Sequence, residues 1–210
     1  MRTEHTRRIA VIISGRGSNL QALIDAVAGG RLRAQIAVVI SNRADAAGLE
    51  RARAAGIETL TISHRDFPSR DAFEAVLVRE LRARNVALVC LAGFMRLLGA
   101  TVLDAFPNAI LNVHPSLLPA FPGVDAQRQA WEHGAKVAGA TVHFVTGELD
   151  GGPIVCQAAV PVLDRDTPET LAARILEQEH RLYPEAVAAV LDGGWTINGR
   201  RFRRVIPSAS

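Results

Sequence analysis

The chain has 210 residues, of which 49% are hydrophobic and 21% charged, with a formal net charge of +3 and a pI near 9.5. This composition excludes a disordered chain and predicts one soluble globular domain over residues 1–210, with flexible ends at 1–7 and 205–210. No apolar run approaches the roughly 20 residues of a membrane helix, and the first apolar run is too short for a secretion signal. A cytoplasmic protein is therefore expected.

The charged and sulfur-containing side chains indicate which classes of ligand this chain is expected to bind. Nearly all of the positive charge is arginine, with Lys136 the only lysine, and arginine suits anionic small molecules because it pairs with phosphate and carboxylate. Few aromatic residues lie between the arginines, so nucleic acid is not an expected partner, and the basic run at 200–204 is interpreted as a solvated terminal strand. Cys90 and Cys156 lie in apolar runs without CxxC spacing, and the histidines lack HExxH spacing. Neither a disulfide nor a metal site is expected.

A glycine loop follows the first predicted strand. Residues 8–13 are apolar, residues 14–19 read Ser-Gly-Arg-Gly-Ser-Asn, and apolar positions then recur at helical spacing. Free N–H groups and the dipole at such a helix start favour an anion. Leu20 stands where a dinucleotide-binding loop has its third glycine, and no Gly-Lys-Ser/Thr is present. The loop therefore predicts a site for a phosphate monoester, with a tight turn that only packs as the alternative.

The rest of the chain alternates between strands and helices. Strands are predicted at 34–41, 57–62, 86–91, 109–114, 138–145 and 153–162, and helices at 48–55, from 69–71 onward, at 126–133 and after 167–169. This alternation predicts an α/β fold with a doubly wound, mostly parallel sheet flanked by helices. The connection before 153–162 is short, so the C-terminal edge of the sheet is expected to be antiparallel.

The predicted strand at 109–114 ends in two polar side chains. Pro115 cannot donate to a sheet ladder, so the strand should end near His114, with Asn112 and His114 on the same face. Ligands bind at the carboxyl ends of strands in open α/β sheets. An amide donor and a histidine at this point suit proton-transfer chemistry, although a capped strand end with a satisfied histidine explains the same pattern.

Two loops add candidate groups to this strand end. The loop at 92–98 carries apolar side chains and Arg96, which suit either simple packing or an aromatic ligand with a carboxylate. The glycine-rich loop at 146–153 carries Asp150, whose carboxylate could orient His114. With an asparagine as oxyanion donor, these groups suit acyl transfer. No serine or cysteine stands in a nucleophile elbow, so direct transfer between two bound substrates is expected.

Four motifs make the chain similar to a known family. They lie at 13–20, 92–96, 112–119 and 141–153. On these motifs the sequence resembles the glycinamide ribonucleotide formyltransferases, folate-dependent enzymes of purine synthesis, over nearly its whole length. The resemblance implies a Rossmann-like formyltransferase fold. It also implies direct formyl transfer from 10-formyltetrahydrofolate to the amine of glycinamide ribonucleotide, with both as small-molecule partners and no metal.

The resemblance also implies a role for individual residues. Asn112 would stabilise the oxyanion, His114 would be the general acid and proton shuttle, and Asp150 would keep His114 protonated and in place. The ribonucleotide would bind at Gly17, Ser18, Asn19 and Glu179. The folate would bind at Arg70, Met95, Arg96, Leu97, Leu98, Asn112, Thr146, Gly147, Glu148 and Leu149, where Gly147 replaces an acidic residue common in the family.

Other functions stay open at this level. A formyltetrahydrofolate deformylase has the same three polar residues, but it usually carries an N-terminal regulatory domain, and only a few residues precede Arg8. A methionyl-tRNA formyltransferase would need more chain for its tRNA-binding domain. A non-catalytic phosphate-binding module would need only the glycine loop. The expected assembly is a monomer or a homodimer without nucleic acid or membrane.

Overall fold

Strands and helices alternate through residues 7–205, the part of the chain that this computed structural model describes. The flexible ends expected from the sequence fall outside the described residues, apart from positions 7 and 205. In chain order the elements are β1 Arg8–Ile13, α1 Ser18–Ala28, β2 Gln35–Ser41, α2 Gly48–Ala54, β3 Thr59–Thr61, α3 Arg70–Ala83, β4 Leu88–Leu91, α4 Ala100–Ala105, β5 Ile110–His114, α5 Ala126–Glu132, β6 Val137–Phe144, β7 Ile154–Pro161, α6 Pro168–Asp192, β8 Trp195–Asn198 and β9 Arg201–Arg204.

All nine of these strands form one sheet, in the order β3-β2-β1-β4-β5-β6-β7-β9-β8. The first five strands of this order are parallel. β6 is antiparallel to β5 and to β7, β9 is parallel to β7, and β8 is antiparallel to β9. The predicted mostly parallel sheet with an antiparallel C-terminal edge is thus confirmed. The chain winds outward in opposite directions from β1 and β4, so a topological switch point lies between their carboxyl ends.

Helices cover both faces of the sheet, and this is why the central strands are apolar throughout. In β1, Val11 and Ile13 belong to the core beneath α1, α2, α5 and α6, whereas Ala10 and Ile12 belong to the core beneath α3 and α4. The residues of β1 from Ile9 to Ile13 are at most 1% exposed. Successive side chains of a strand alternate between faces, so one apolar run serves both cores.

The loops after β1 and β4 meet at the switch point. The Ser14 N–H donates to the Gly93 carbonyl over 3.2 Å, and the Met95 N–H donates to the Ser14 hydroxyl over 3.0 Å. The Ser14 hydroxyl in turn donates to Asn42 Oδ1 over 2.7 Å. The predicted phosphate loop and the predicted folate loop are therefore parts of one surface.

Two elements of the fold were not predicted from the sequence. α4 has six residues, of which Val102 alone is buried. A segment this short cannot show helical periodicity in the sequence. β8 pairs with β9 as a hairpin, although only the basic run of β9 was read as a strand. Trp195 of β8 and Phe202 of β9 pack on Phe144, with ring centroids 5.5 and 5.8 Å from that ring. The hairpin thus depends on a contact with a residue about 50 positions earlier in the chain.

The long helix α6 lies against the sheet behind the switch point. The Tyr183 hydroxyl donates to the carbonyl of Leu91 over 2.8 Å and also lies 3.1 Å from the carbonyl of Leu111. These contacts tie α6 to the end of β4 and to the first part of β5, and they bring Glu179, one turn earlier, towards the glycine loop. No helix within residues 7–205 is long and apolar enough to span a membrane.

Candidate active site

Polar side chains gather on one face of β5 and β6 near the end of β5. The two strands are in a register that places Asn112 opposite His143 and His114 opposite Thr141. Their neighbours Leu111 and Val113 point to the opposite, helix-covered face. The sheet therefore presents an amide, two imidazoles and a hydroxyl on one surface, as strand alternation requires.

Asp150 joins this surface from the loop between β6 and β7. Its Oδ2 atom lies 3.5 Å from Nδ1 of His114 and accepts a hydrogen bond of 2.8 Å from the Gly123 N–H. The loop returns close to the sheet because of Gly152, where a Cβ atom would collide with the Phe144 carbonyl. A residue from 36 positions later in the chain is thereby held beside the end of β5.

The ring of His114 lies between two oxygen acceptors. Nε2 is 2.9 Å from the Phe121 carbonyl, and Nδ1 faces the carboxylate of Asp150. A carbonyl and a carboxylate can only accept, so the ring donates to both only when it carries both protons. Because His114 is 5% exposed, bulk water is largely kept from this arrangement.

His143 also faces the site; it lies within the motif at 141–153, but the sequence indicates no role for it. Its Nδ1 lies 2.9 Å from the Phe144 carbonyl, which can only accept, so Nδ1 carries a proton, and burial lowers the pKa of His143, which favours the neutral ring. Nε2 is then free to accept from the Asn112 amide nitrogen, 3.3 Å away. One hydrogen of that amide is thus held by His143, and the other is left for a ligand. His143 and Asp150 approach to 3.7 Å, but a neutral ring forms no ion pair there.

A second polar cluster lies at the start of α1. Gly17 has a φ angle of 73°, in the left-handed region that favours glycine, and no side chain caps the helix. The Asn19 amide donates to Glu179 Oε2 over 2.6 Å, while Asn19 Oδ1 is buried and has no partner within residues 7–205. Glu179 is 6% exposed, and burial raises the pKa of its carboxyl group. The sequence could not show this contact, which joins residues 160 positions apart.

The predicted folate-binding residues surround this face but differ in exposure. Met95 is 73% exposed, Leu97 63% and Leu149 51%, whereas Leu98 is buried. Large apolar side chains left this open beside polar groups are typical of a ligand site. Thr146, Gly147 and Glu148 are exposed, and Arg96 is half-buried.

Arg70 is already engaged within the protein. Its Nε donates to Glu74 over 2.9 Å, and Glu74, which is 1% exposed, also accepts from the Gly99 N–H over 2.6 Å. The Arg70 side chain is 47% exposed, and its guanidinium keeps other donors for a carboxylate. Within residues 7–205 no three His, Cys, Asp or Glu side chains are grouped as a metal site would need.

The proteins to which this chain is similar agree with the arrangement of the site. Residues 7–187 match the model of the family described as formyl transferase. The chain belongs to this family. The phosphoribosylglycinamide formyltransferase of Escherichia coli is 47% identical over 88% of the chain and 87% of its own length. The crystal structure of glycinamide ribonucleotide transformylase 1 from Symbiobacterium toebii is 58% identical, with a TM-score of 0.94 over 97% of this chain and 96% of that chain.

Longer relatives contain a similar segment. The trifunctional purine biosynthetic protein adenosine-3 of Drosophila melanogaster is 48% identical over 92% of this chain, which spans 14% of that protein. Together the relatives confirm the formyl transferase fold and the family resemblance drawn from the sequence motifs. The names of these relatives favour neither the deformylase nor a binding module.

Proposed function

We propose that this formyl transferase carries the formyl group of 10-formyltetrahydrofolate to the amine of glycinamide ribonucleotide. The convergence of Asn112, His114 and Asp150 on one face carries the proposal, since the His114 and Asp150 side chains approach to 3.5 Å from distant parts of the chain. We also propose that the enzyme is cytoplasmic, binds small-molecule partners and acts as a monomer or homodimer.

Asn112 is the group that stabilises the developing oxyanion. The substrate amine attacks the formyl carbon, a C–N bond forms, and the π electrons of the carbonyl move to its oxygen. A preorganised N–H donor aimed at that oxygen stabilises the tetrahedral intermediate more than the ground state. The hydrogen bond of 3.3 Å to His143 fixes the rotation of the Asn112 amide and leaves its second N–H to donate.

His114 moves the proton as the intermediate collapses. The bond between the formyl carbon and N10 of the folate breaks, N10 takes a proton, and the attacking amine releases one, so the protons balance. Nδ1 of His114 faces Asp150, which leaves Nε2 as the nitrogen that serves the substrates. The Phe121 carbonyl, now 2.9 Å from Nε2, must then give up this contact when substrates bind.

The two substrates occupy neighbouring surfaces. The phosphate of the ribonucleotide accepts from the N–H groups of Gly17, Ser18 and Asn19, and the buried carboxylate of Glu179 accepts from ribose hydroxyls. The pterin packs on the apolar side chains of the loops at 92–98 and 146–153. The guanidinium groups of Arg70 and Arg96 bind the glutamate carboxylates of the folate. The proposed folate contacts are Arg70, Met95, Arg96, Leu97, Leu98, Thr146, Gly147, Glu148 and Leu149.

A two-substrate assay tests the function directly. The enzyme is given 10-formyltetrahydrofolate with and without glycinamide ribonucleotide, and both formate and formylated product are measured. We expect product only when the amine is present and little formate in its absence. Formate release at a similar rate without the amine would instead identify a hydrolase.

Substitutions test the roles of the two polar residues of β5. We expect His114→Ala and Asn112→Ala each to lower kcat by about 10²- to 10⁴-fold, because each removes one catalytic group. Circular dichroism checks that the fold is kept. Asn198→Ala, at an exposed position of β8, is the control and should retain full activity. Near-normal turnover in either β5 variant would refute the mechanism.

A further inference from the structure

Helix α2 holds two carbonyl groups of the glycine loop. The Gly48 N–H donates to the Gly15 carbonyl over 3.0 Å, and Arg51 Nε donates to the Arg16 carbonyl over 3.0 Å. A trans peptide is planar, so its N–H points in the direction opposite to its C=O. The N–H groups of Arg16 and Gly17 are therefore both turned away from α2.

These N–H groups are left free to bind a ligand. Within residues 7–205, no acceptor contacts the backbone N–H groups of Arg16, Gly17, Ser18 or Asn19. Successive N–H groups turned to one side form a concave site for an anion. On the flank of α1 away from α2, the buried Asn19 Oδ1 also lacks a partner, and a ligand hydroxyl would satisfy it. The ligand side of the loop is thus the side that faces away from Arg51.

The hydrogen bond from Arg51 restrains the peptide between Arg16 and Gly17. Rotation of this peptide changes the φ angle of Gly17, which is 73° here, and a glycine has the conformational freedom to make such a rotation easy. A rotated peptide would aim its carbonyl oxygen, and not its N–H, at a bound phosphate. Arg51 opposes that rotation, and its Nη1 also lies 3.3 Å from Gln21 Oε1 of α1, which fixes the guanidinium in place.

We propose that Arg51 is a positioning residue for the phosphorylated substrate, acting through the Arg16 carbonyl without touching the phosphate. The inference rests on the proposed phosphate-binding role of the glycine loop. The loop keeps its place without Arg51, because the Gly48–Gly15 hydrogen bond remains and the backbones of Gly17 and Gly48 are in close contact. A substitution at Arg51 therefore changes the orientation of one peptide and leaves the fold intact.

The experiment compares three variants of the full chain. Arg51→Gln removes the charged donor, and Arg51→Lys keeps a charged donor of another shape. Arg53→Gln is the matched control, because Arg53 is exposed on the same helix and, in the part of the chain that the structure describes, forms an ion pair only with Glu50. For each variant we measure kcat, the KM of each substrate in the two-substrate assay, and the shift of Tm with inorganic phosphate.

We expect Arg51→Gln to raise the KM for glycinamide ribonucleotide by about tenfold or more, the effect of one charge-assisted hydrogen bond. The KM for 10-formyltetrahydrofolate and kcat should stay within about twofold, and the Tm shift with phosphate should shrink. Arg51→Lys should recover part of the affinity, since an ammonium can reach the same carbonyl. Arg53→Gln should match the unaltered enzyme.

Three results would overturn the inference. An unchanged KM for the ribonucleotide in Arg51→Gln would remove the role of Arg51 while leaving the phosphate site standing. An equal rise in both KM values, with a lower Tm in the absence of ligand, would assign Arg51 a merely structural role. If phosphate does not stabilise the unaltered enzyme and the assay forms no product, the proposed function fails and the inference fails with it.

Discussion

The proposed role of Glu179 in binding the ribonucleotide opposes its contribution to stability. The side chain is 6% exposed, the Asn19 amide is its one hydrogen-bond donor among residues 7–205, and burial raises the pKa of its carboxyl group. A charged carboxylate in such a place costs free energy that the free enzyme recovers only in part. We interpret this cost as the preparation of an acceptor for ribose hydroxyls.

We expect Glu179→Gln to raise Tm at pH 8 and to weaken binding of the ribonucleotide. The raised pKa means that the native Glu179 binds its proton more tightly than the unfolded chain does. Its contribution to stability is present below the unfolded pKa of about 4.5 and is lost as pH rises through the folded value. The Tm difference between variant and wild type should therefore grow as pH rises. Glu177→Gln, exposed on the same helix, is the control, and a variant less stable than wild type at pH 8 would contradict this account.

At the scale of elements, α6 connects the fold to the site. Its first turn is closed by a capping box, in which the Thr167 hydroxyl accepts from the Thr170 N–H and the Thr170 hydroxyl accepts from the Thr167 N–H. Pro168 occupies the first helical position, where a missing N–H costs nothing. These local signals were readable in the sequence, and the helix begins where they predicted it.

Substitution of Thr167 tests how much this cap contributes to the free energy of unfolding. We expect Thr167→Ala to lower the free energy of unfolding by about 1 kcal/mol, because the Thr170 N–H loses its side-chain acceptor. Denaturant titration with both variants measures the effect. Glu177→Ala, in the exposed middle of α6, should change stability by less than about 0.5 kcal/mol. Equal losses in the two variants would mean that helix propensity, and not the cap, sets this boundary.

At the scale of the whole molecule, several histidines oppose protonation in the folded state. Desolvation lowers the pKa of His143, His64 and His180, which lie in different parts of the fold. The unfolded chain then binds protons at a higher pH than the native protein does. Their contribution to stability is complete above about pH 6.5, the ordinary pKa of histidine, and is lost as pH falls through the folded values.

We accordingly expect the denaturant concentration at the unfolding midpoint to decrease as the pH is lowered from 7.5 to 5.5. His143→Asn should make this dependence shallower, whatever its effect on stability at pH 7.5, because the variant has one group fewer that gains a proton on unfolding. The measurement is a set of denaturant titrations across this pH range. An unchanged slope in the variant would show that His143 is not held neutral by the fold.

The amino-acid sequence by itself determined the sheet, most of the helices and the two polar motifs. Apolar runs such as residues 8–13 and amphipathic periodicity record burial locally, and Pro115 marks the end of β5. Elements without such a local record were missed: α4 is too short to show a period, and β8 depends on packing against Phe144. The antiparallel C-terminal edge was predicted from a short connection, whereas the order of the nine strands was not predicted from the sequence.

Only the tertiary structure decided which polar groups meet. The approach of Asp150 to His114, the neutral ring of His143 beside Asn112 and the reach of Arg51 to the Arg16 carbonyl all join residues from separate elements. Such contacts depend on strand register and on how helices pack across a sheet. No local pattern encodes these relations, because they arise from the free energy of the whole packed chain.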